Sequence, residues 1–450
     1  MSKKRTRLIV SLFSIIVFYI YTSALTPNPL ISRNKPIYGP PNSNVGILVN
    51  GIYGGEACNV NDGFWVAIKL DGNYPKILIN WNNTSGQWSD SLSDSNSCKG
   101  AGSIPRDYDI LKSSNSTDGM DGTWTTVLTI RNNIVSARAH SIDFSGSQWV
   151  KVSIIKGSGS LDEIEIFDIS KGNDDTWFFP GTSITAVTYK SHPPAKNFAD
   201  LITEKHPEFS PAIIRGGIGC IRSCYMADGI SRYLAAAGNV KYWAIEMGTN
   251  DAWGGSNYFV PSFTKNMQLI IDSCKAHAIQ PIIARMLATD SAKVKWQVHP
   301  DFLKAIDSLT KKNNLIPGPD LFTYFSTHPS ELSGEGGDGV HPTTVGGESI
   351  CRLWAEKMDS LYLSATSIDN KLMPSKKLHS NMIHLSTVNR NFIADVKCAG
   401  TLSVYSLKGN LLERVSLEAK ASYRINNKGF LIISFSSPVG NEIIRASNPL

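Results

Sequence analysis

Between residues 173 and 362 the sequence alternates short apolar runs with longer stretches of helical periodicity. The apolar runs have the composition of buried strands, and they are Trp177–Phe179, Ala212–Ile214, Tyr242–Ile245 and Pro281–Ala284. The helix-like stretches lie near residues 222–237, 261–277, 301–312 and 345–362. Strands that alternate with helices predict an α/β fold, in which helices cover both faces of a parallel sheet. A site in such a sheet is expected at the carboxyl ends of its strands.

Residues 42–172 show a different pattern, in which apolar and polar residues alternate over short runs. One such run places Trp124, Leu128 and Ile130 on one face and ends at a turn, Asn132-Asn133. Short alternating strands separated by turn residues predict an all-β unit of the β-sandwich or jelly-roll type.

Three further segments complete the predicted organisation. Residues 25–41 carry five prolines and are predicted to form a linker before the β-rich unit. Residues 364–385 are polar and basic and are predicted to form a second linker. Residues 386–450 return to a β pattern, which predicts a small β-sandwich tail.

The amino-terminal residues have the order of charged, apolar and small residues that is typical of a secretory signal peptide. Residues 3–7 are mostly basic, residues 8–21 form an apolar run, and Thr22-Ser23-Ala24 offers small residues to a signal peptidase. The alternative is an uncleaved membrane anchor, which needs about 20 apolar residues, and this run is shorter. We therefore predict that residues 1–24 are removed and that the mature protein is soluble and secreted, periplasmic or held at the cell surface.

The net charge of +6 makes the chain mildly basic, but four of its basic residues lie in the leader. Without those four, the basic residues exceed the 38 acidic ones by only two. No overall positive field therefore favours a nucleic acid as the partner. We also expect no membrane partner once the leader has been removed.

Export would permit disulfides, and the chain has seven cysteines. Cys58 and Cys98 lie in the same predicted unit and are a candidate pair, whereas the pairing of Cys220 and Cys224 stays open. An odd number leaves at least one thiol unpaired within the chain. Because no Cys or His pairs stand at zinc-finger spacing, we expect no metal site.

Four short motifs follow the predicted strands of the α/β unit or stand near its end. In chain order they are Gly181-Thr182-Ser183-Ile184-Thr185, Gly216-Gly217-Ile218-Gly219, Gly248-Thr249-Asn250-Asp251 and Asp338-Gly339-Val340-His341-Pro342. Taken singly each is weak, because a Gly-x-Ser is most often a turn and an Asp-His pair can be a surface contact. Their occurrence together, in order and after predicted strands, indicates one site.

The residue types in these motifs are those that acyl transfer requires. A serine hydroxyl at a strand-to-helix turn, Ser183, can attack a carbonyl carbon when His341 takes its proton. Asp338 can bind the other ring nitrogen of the histidine and fix its tautomer. The oxyanion that forms needs donors, which the amides of Ser183 and Gly219 and the side chain of Asn250 can supply. This chemistry needs no cofactor.

The four motifs resemble blocks I, II, III and V of the SGNH (GDSL-type) hydrolases, over about residues 173–363. The resemblance implies a flavodoxin-like three-layer sandwich with a parallel sheet, and a serine esterase mechanism. The site residues that it carries over are the nucleophile Ser183, the oxyanion donors Ser183, Gly219 and Asn250, and the Asp-x-x-His pair Asp338 and His341. One departure is Thr182, where the family usually has an aspartate that supports the loop; a threonine hydroxyl can also form local hydrogen bonds.

Two other parts of the chain carry looser resemblances. The β-rich unit 42–172 is similar to the galactose-binding-type jelly roll that precedes the catalytic domain in carbohydrate esterases of family CE2. Residues 136–144 and 148–150 carry that similarity. Residues 402–445 are similar to the β-sandwich sorting tails of exported Bacteroidetes-like enzymes, which implies a secretion or sorting role for the tail.

These observations predict a secreted serine esterase that deacetylates an acetylated polysaccharide or oligosaccharide, of the acetylxylan type, and acts as a monomer. Trp253, just after the Asn250 motif, and Arg285, at the end of a predicted strand, are candidate substrate-binding residues. One alternative is another acylhydrolase of the same family, such as a lipase, a thioesterase or a pectin-type acetylesterase. A second is a carbohydrate-binding protein with a degenerate hydrolase domain, which only Thr182 supports.

Overall fold

The computed structural model describes residues 25–52, 57–83, 105–133, 138–188, 196–333, 337–362, 383–388, 391–406, 411–425, 430–437 and 440–447. The chain forms two compact units, Met1–Ala365 and Thr366–Leu450. The predicted signal peptide, Cys98 and most of the predicted linker 364–385 lie outside the described residues.

Antiparallel strands make up the amino-terminal part of the first unit. They are β1 (Ile37–Tyr38), β2 (Cys58–Val60), β3 (Trp65–Lys69), β4 (Lys76–Asn83), β5 (Pro105–Ser113), β6 (Thr125–Ile130), β7 (Arg138–Asp143), β8 (Trp149–Gly157) and β9 (Gly159–Asp168). One sheet has the order β1-β3-β8-β5-β6 and the other the order β2-β9-β4-β7. The ring of Trp81 in the second sheet meets the ring of Tyr108 in the first edge to face, with centroids 5.4 Å apart. The two sheets thus share one hydrophobic core.

The segment of residues 25–41, predicted from its prolines to be a linker, is instead packed against the rest of the unit. Leu25 is buried, and the Ile31 N–H donates to the carbonyl of Ile166 at 2.8 Å. Further along the segment, β1 pairs with β3. Proline lacks only a hydrogen-bond donor, so the residues between the prolines can still pair and bury their side chains.

The predicted parallel sheet is confirmed in the second part of the first unit. Its strands are β10 (Thr176–Gly181), β11 (Ala212–Gly217), β12 (Tyr242–Ile245), β13 (Gln280–Arg285) and β14 (Pro317–Asp320). They pair in parallel in the order β11-β10-β12-β13-β14. This is the flavodoxin-like order, in which the direction of chain progression reverses between β10 and β12. Ligands bind such sheets beyond the carboxyl ends of the strands at this reversal.

The structure has helices at all four predicted helical stretches, and it adds helices over residues 183–186, 198–205 and 321–327 that the sequence did not predict. In chain order the helices are α1 (Ser183–Ala186), α2 (Phe198–Lys205), α3 (Ser223–Asp228), α4 (Ile230–Ala237), α5 (Val260–Ala276), α6 (Pro300–Lys312), α7 (Leu321–Thr327) and α8 (Thr344–Met358). The stretch predicted over 222–237 is divided at Gly229, because glycine is a poor helix former and ends α3 there. The stretch predicted over 345–362 finishes as a 3-10 turn after Met358.

Helices cover both faces of the parallel sheet. Trp177 and Phe179 of β10 belong to one hydrophobic cluster, together with side chains of α2, α7 and α8. Phe178, between them on the same strand, belongs to a second cluster with side chains of α4, α5 and α6. Successive side chains of a strand point to opposite faces, so the apolar run of β10 is buried from both sides.

The second unit consists of antiparallel strands within the described residues. They are β15 (Ile383–Val388), β16 (Asn391–Val396), β17 (Gly400–Ser406), β18 (Leu411–Leu417), β19 (Ser422–Ile425), β20 (Phe430–Ser437) and β21 (Gly440–Ser447). One sheet has the order β15-β16-β19 and the other the order β18-β17-β20-β21. This unit has its own hydrophobic cluster, which includes Ala394, Val404 and Phe435.

Two further findings concern the helices and the cysteines. Within the described ranges, no helix combines the length and the apolar character needed to cross a membrane. Cys220 and Cys224, whose pairing the sequence left open, are both free thiols. Cys58 is a buried free thiol as well, so the predicted pair of Cys58 with Cys98 is not formed in the structure.

Candidate active site

Ser183 lies where the chain turns from β10 into α1, at the carboxyl edge of the parallel sheet. Thr182 caps the helix, because its hydroxyl accepts the backbone N–H of Ile184 at 3.2 Å, and Ser183 is the first helical residue. The turn is tight at Gly181, where an added Cβ would stand 2.0 Å from the hydroxyl oxygen of Thr185. Only a residue without a side chain lets α1 approach β10 this closely.

The structure brings Ser183, His341 and Asp338 into one hydrogen-bonded chain. The Oγ of Ser183 lies 2.8 Å from Nε2 of His341, and Nδ1 of the same ring lies 2.5 Å from Oδ2 of Asp338. With the proton on Nδ1, the imidazole donates to the carboxylate and leaves Nε2 free to accept the serine proton. The side chain of His341 is 17% exposed, so the arrangement is shielded but reachable from solvent.

A short loop before α8 fixes the carboxylate of Asp338. Its Oδ1 accepts the backbone N–H groups of Val340 and His341, at 2.9 and 3.0 Å. Gly339 has a φ of +76°, and a Cβ on it would stand 2.5 Å from the Cβ of Lys293, so this turn requires glycine. Partial burial acts to raise the pKa of Asp338, but the hydrogen bonds from His341 and Val340 outweigh it and hold that pKa below its usual range.

Gly219 follows β11, the strand next to the serine loop. Gly181 and Gly217 are partners in the parallel ladder, and the Ile218 N–H donates to the carbonyl of Gly181 at 3.0 Å. The chain at Gly219 therefore runs beside the Ser183 turn. A Cβ built on Gly219 would meet no atom of the described residues within 4 Å, so their packing does not demand a glycine here. The demand can come from a bound substrate that approaches the Gly219 N–H.

Asn250 reaches the site from the loop after β12. Gly248 makes the turn with a φ of +123°, and a Cβ there would stand 2.0 Å from Cε of Met286. The side-chain amide of Asn250 donates one hydrogen to the carbonyl of Ile221 at 2.9 Å, which orients it. An amide has two donor hydrogens, so one remains for a substrate oxygen. Ser183, Gly219 and Asn250 thus come from three neighbouring loops at one edge of the sheet.

The two candidate substrate-binding residues differ in their surroundings. Trp253 is 53% exposed, and its ring centroid lies 5.0 Å from that of Trp296. Arg285 instead donates to Asp320 at 2.7 Å and lies 3.6 Å from Asp307. The described contacts of Arg285 include none of the motif residues, so these two carboxylates account for its charge.

The loop that carries Trp296 is hydrogen-bonded to the loop of Asp338 and His341. Within this loop the Asp290 N–H donates to the carbonyl of Gly339 at 2.8 Å, and the Thr289 hydroxyl donates to the carbonyl of Trp296. The pair formed by Trp253 and Trp296 therefore connects the Asn250 loop with the loop of the candidate triad. Trp296 was not singled out from the sequence, because no motif surrounds it.

Glu246 is a further residue at the site that the motifs did not include. It follows β12, is 3% exposed, and accepts hydrogen bonds from Thr182, Thr185 and Thr249. The signal in the sequence was a single carboxylate inside the otherwise apolar run 242–247. Such a residue is rarely buried without partners.

Across the described ranges, no group of three His, Cys, Asp or Glu side chains is arranged to hold a metal ion.

Comparisons with known proteins gave matches only among solved structures. No family model matches the chain, and no curated protein does. One similar structure is a lipase/acylhydrolase from Enterococcus faecalis, 20% identical, covering 41% of this chain and 95% of that chain with a TM-score of 0.34. Another is Axe2, an acetylxylan esterase from Geobacillus stearothermophilus, 14% identical, covering 41% and 93% with a TM-score of 0.33. A third is the acetyl xylan esterase AlAXEase, 20% identical, covering 41% and 98% with a TM-score of 0.32.

Proposed function

We propose that this protein is a secreted serine esterase that removes acetyl groups from polysaccharide through an acyl-enzyme. The proposal depends on one observation: Ser183, His341 and Asp338 form a continuous hydrogen-bonded chain at the carboxyl edge of a parallel sheet. A nucleophile bound to a base, and a base bound to an orienting carboxylate, is the arrangement that acyl transfer by serine requires.

In the first half of the reaction, Oγ of Ser183 bonds to the acetyl carbonyl carbon while its proton passes to Nε2 of His341. The carbonyl oxygen becomes an oxyanion, which the N–H groups of Ser183 and Gly219 and the amide of Asn250 stabilise. The bond to the sugar oxygen then breaks, and the imidazolium gives its proton to that oxygen. The products of this half are the free sugar hydroxyl and an acetyl-enzyme.

In the second half, a water molecule attacks the acetyl carbon of the acyl-enzyme and gives a proton to Nε2 of His341. The second tetrahedral intermediate collapses, acetate leaves, and Oγ of Ser183 recovers the proton. Asp338 keeps the imidazole in the same tautomer through both halves and stabilises its charged form. The whole cycle consumes one water molecule for each acetyl group that is released.

The pair of Trp253 and Trp296 beside the Asn250 loop supports the proposal that the substrate contains a sugar ring. Aromatic faces offer apolar area to the C–H face of a sugar ring, and about half of the Trp253 surface is exposed for that contact. The proposal that this substrate is an acetylated polysaccharide rests on the resemblance of the sequence to acetylxylan-type esterases.

The proposal of export rests on the order of charged and apolar residues in the leader. The antiparallel sheets of residues 42–172 are compatible with the proposed jelly roll.

The test is the release of acetate from acetylated xylan by the mature protein and by Ser183→Ala. We expect release by the parent and a loss of at least about a hundredfold in the folded variant. Hydrolysis of p-nitrophenyl acetate without release from xylan would retain the serine mechanism and reject the polysaccharide. Retained sugar binding without any turnover would favour the degenerate binding protein, against which the intact hydrogen-bonded chain argues.

A further inference from the structure

A buried carboxylate that takes no part in the proposed triad contacts the turn that carries the nucleophile. Glu246 is 3% exposed and follows β12, and its backbone N–H donates to the carbonyl of Pro180 at 3.2 Å. Burying an ionisable group is costly unless hydrogen bonds replace its water. The contacts of this side chain therefore indicate why it is there.

Threonines from two loops surround the carboxyl group. Its Oε2 accepts the backbone N–H of Thr182 at 3.2 Å and the hydroxyl of the same residue at 2.7 Å. The hydroxyl of Thr185 donates to Oε2 at 3.2 Å, and that of Thr249 lies 3.5 Å from Oε1. One side chain thus binds the Ser183 turn on one side and the Asn250 loop on the other.

These contacts bear directly on the reacting groups. Thr182 donates to Glu246 while its hydroxyl oxygen caps the helix that begins at Ser183. Thr249 immediately precedes Asn250. A shift of the carboxyl group would therefore move the nucleophile and an oxyanion donor relative to one another, and misplacements of about 1 Å can cost about a hundredfold in rate.

We propose that Glu246 is a positioning residue, which holds Ser183 and Asn250 in register for acyl transfer and supplies from β12 the carboxylate that residue 182 lacks. This inference rests on the proposed function. It also explains Thr182, because a carboxylate at 182 would stand within hydrogen-bond distance of Glu246, and two carboxylates that close cannot both be ionised easily. Threonine at 182 and glutamate at 246 form a matched pair.

The experiment uses the full mature chain and four variants: Glu246→Met, Glu246→Gln, Thr182→Asp and the double variant Thr182→Asp/Glu246→Met. Methionine has a similar volume and no strong acceptor, whereas glutamine keeps one acceptor oxygen. The measurements are kcat and KM for p-nitrophenyl acetate and the rate at which a sulfonyl fluoride modifies Ser183. Folding of each variant is checked by circular dichroism.

We expect Glu246→Met to lower kcat and the modification rate by about tenfold or more, with KM changed by less than about threefold. Glu246→Gln retains more activity than Glu246→Met. Thr182→Asp alone is also impaired, and the double variant is more active than Glu246→Met, because it again has one carboxylate between the two loops. The matched control is Glu163→Met, which removes another buried glutamate, one of β9 that lies 3.9 Å from Arg33, and leaves kcat unchanged.

A folded Glu246→Met protein with the parental kcat would overturn the inference while leaving the proposed function intact. A double variant no better than Glu246→Met would also reject the matched pair. If Glu246→Met does not fold, Thr182→Val and Thr182→Ser decide instead, because only the second keeps the hydroxyl and only the first should lose activity. A parental protein that neither hydrolyses the ester nor reacts with the sulfonyl fluoride would reject the proposed function, and the inference with it.

Discussion

At the scale of single residues, the site depends on hydrogen bonds that fix two polar side chains before a substrate arrives. Asp338 accepts from two backbone N–H groups and from the His341 ring, and Asn250 is oriented by the carbonyl of Ile221. Preorganised groups of this kind need little rearrangement when charge develops during the reaction.

Replacing Asp338 by asparagine should separate the orientation of the imidazole from the fold of the loop. The asparagine oxygen can still accept the backbone N–H groups, but its NH₂ group cannot accept the proton of Nδ1, which favours the wrong tautomer. We expect kcat for p-nitrophenyl acetate to fall by about a hundredfold or more with an unchanged circular dichroism spectrum. A folded Asp338→Asn protein with the parental kcat would remove Asp338 from the mechanism.

A pH dependence is expected from Glu163, a buried residue of β9. Burial, and next the neighbouring carboxylate of Glu165, raise the pKa of Glu163 to about 9, against the opposing effect of Arg33. The folded state therefore binds more protons than the unfolded state between the ordinary pKa of 4.5 and about 9, and this residue makes the protein less stable as the pH rises through that window.

The variant Glu163→Gln lacks this titration. Its free energy of unfolding, compared with that of the parent, should increase between about pH 5 and pH 8, by at most about 1.4 kcal/mol per pH unit. Urea unfolding at both pH values provides the measurement. A difference that stays constant or decreases with pH would mean that Glu163 is ionised in the folded state.

At the scale of elements, the site is assembled from turns whose shape depends on glycine, but not every glycine has the same reason. Gly339 combines a positive φ with a close neighbour, whereas a Cβ at Gly219 would have no neighbour within 4 Å in the part of the chain that the structure describes. The first is a requirement of the fold, and the second is compatible with a requirement of the substrate.

Alanine should therefore reduce stability at position 339 and activity at position 219. Gly339→Ala should reduce the free energy of unfolding by about 1–3 kcal/mol, because the φ is strained and Lys293 must move. Gly219→Ala should change stability by less than about 0.5 kcal/mol yet lower kcat/KM by about tenfold, since its methyl group obstructs the substrate oxygen. Thermal or urea unfolding and ester hydrolysis test both; a destabilised but fully active Gly219→Ala protein would contradict the distinction.

The sequence predicted β10, β11, β12 and β13 of the parallel sheet because each contains a short apolar run. It did not predict β14, which reads Pro317-Gly318-Pro319-Asp320 and has no apolar run at all. An edge strand tolerates proline, and Gly318 lies so close to β13 that a Cβ would stand 2.4 Å from the carbonyl oxygen of Ile283. Both features are visible only when the neighbouring strand is in place.

The same reasoning applies to the site. The residues of the first three motifs came together because the carboxyl ends of parallel strands meet at one edge, which the order of strands and motifs predicts. Asp338 and His341 come instead from the loop before α8. The ion pairs of Arg285 with Asp320 and Asp307 were not predicted, because a strand buried on both faces gives no indication of where its last side chain points. Glu246 was missed because its partners are threonines, which carry no charge to suggest a pair.

At the scale of the whole molecule, each of the two units has its own hydrophobic core. The clusters of the first unit draw only on described residues up to Tyr362, and that of the second only on residues from Ala394 onward. A compact unit with its own core is able to fold by itself.

A chain that ends at Ala365 should therefore fold and keep its activity. We expect its kcat for p-nitrophenyl acetate to match that of the full mature chain within about twofold, because the candidate site lies wholly in the first unit. The control is the same truncated chain with Ser183→Ala. Aggregation or loss of activity on truncation would show that the tail contributes to the first unit.

The hydrogen bond between Ser183 and His341 joins residues that are 158 positions apart. A ribosome synthesises the serine, the oxyanion loops and most of the sheet well before it reaches the histidine. The growing chain therefore carries an unactivated hydroxyl, and the proposed esterase activity would arise late, when the loop of Asp338 and His341 docks on a nearly finished sheet. A chain that is exported before this docking would be inactive during export. A chain that terminates before residue 338 would never acquire the proposed activity.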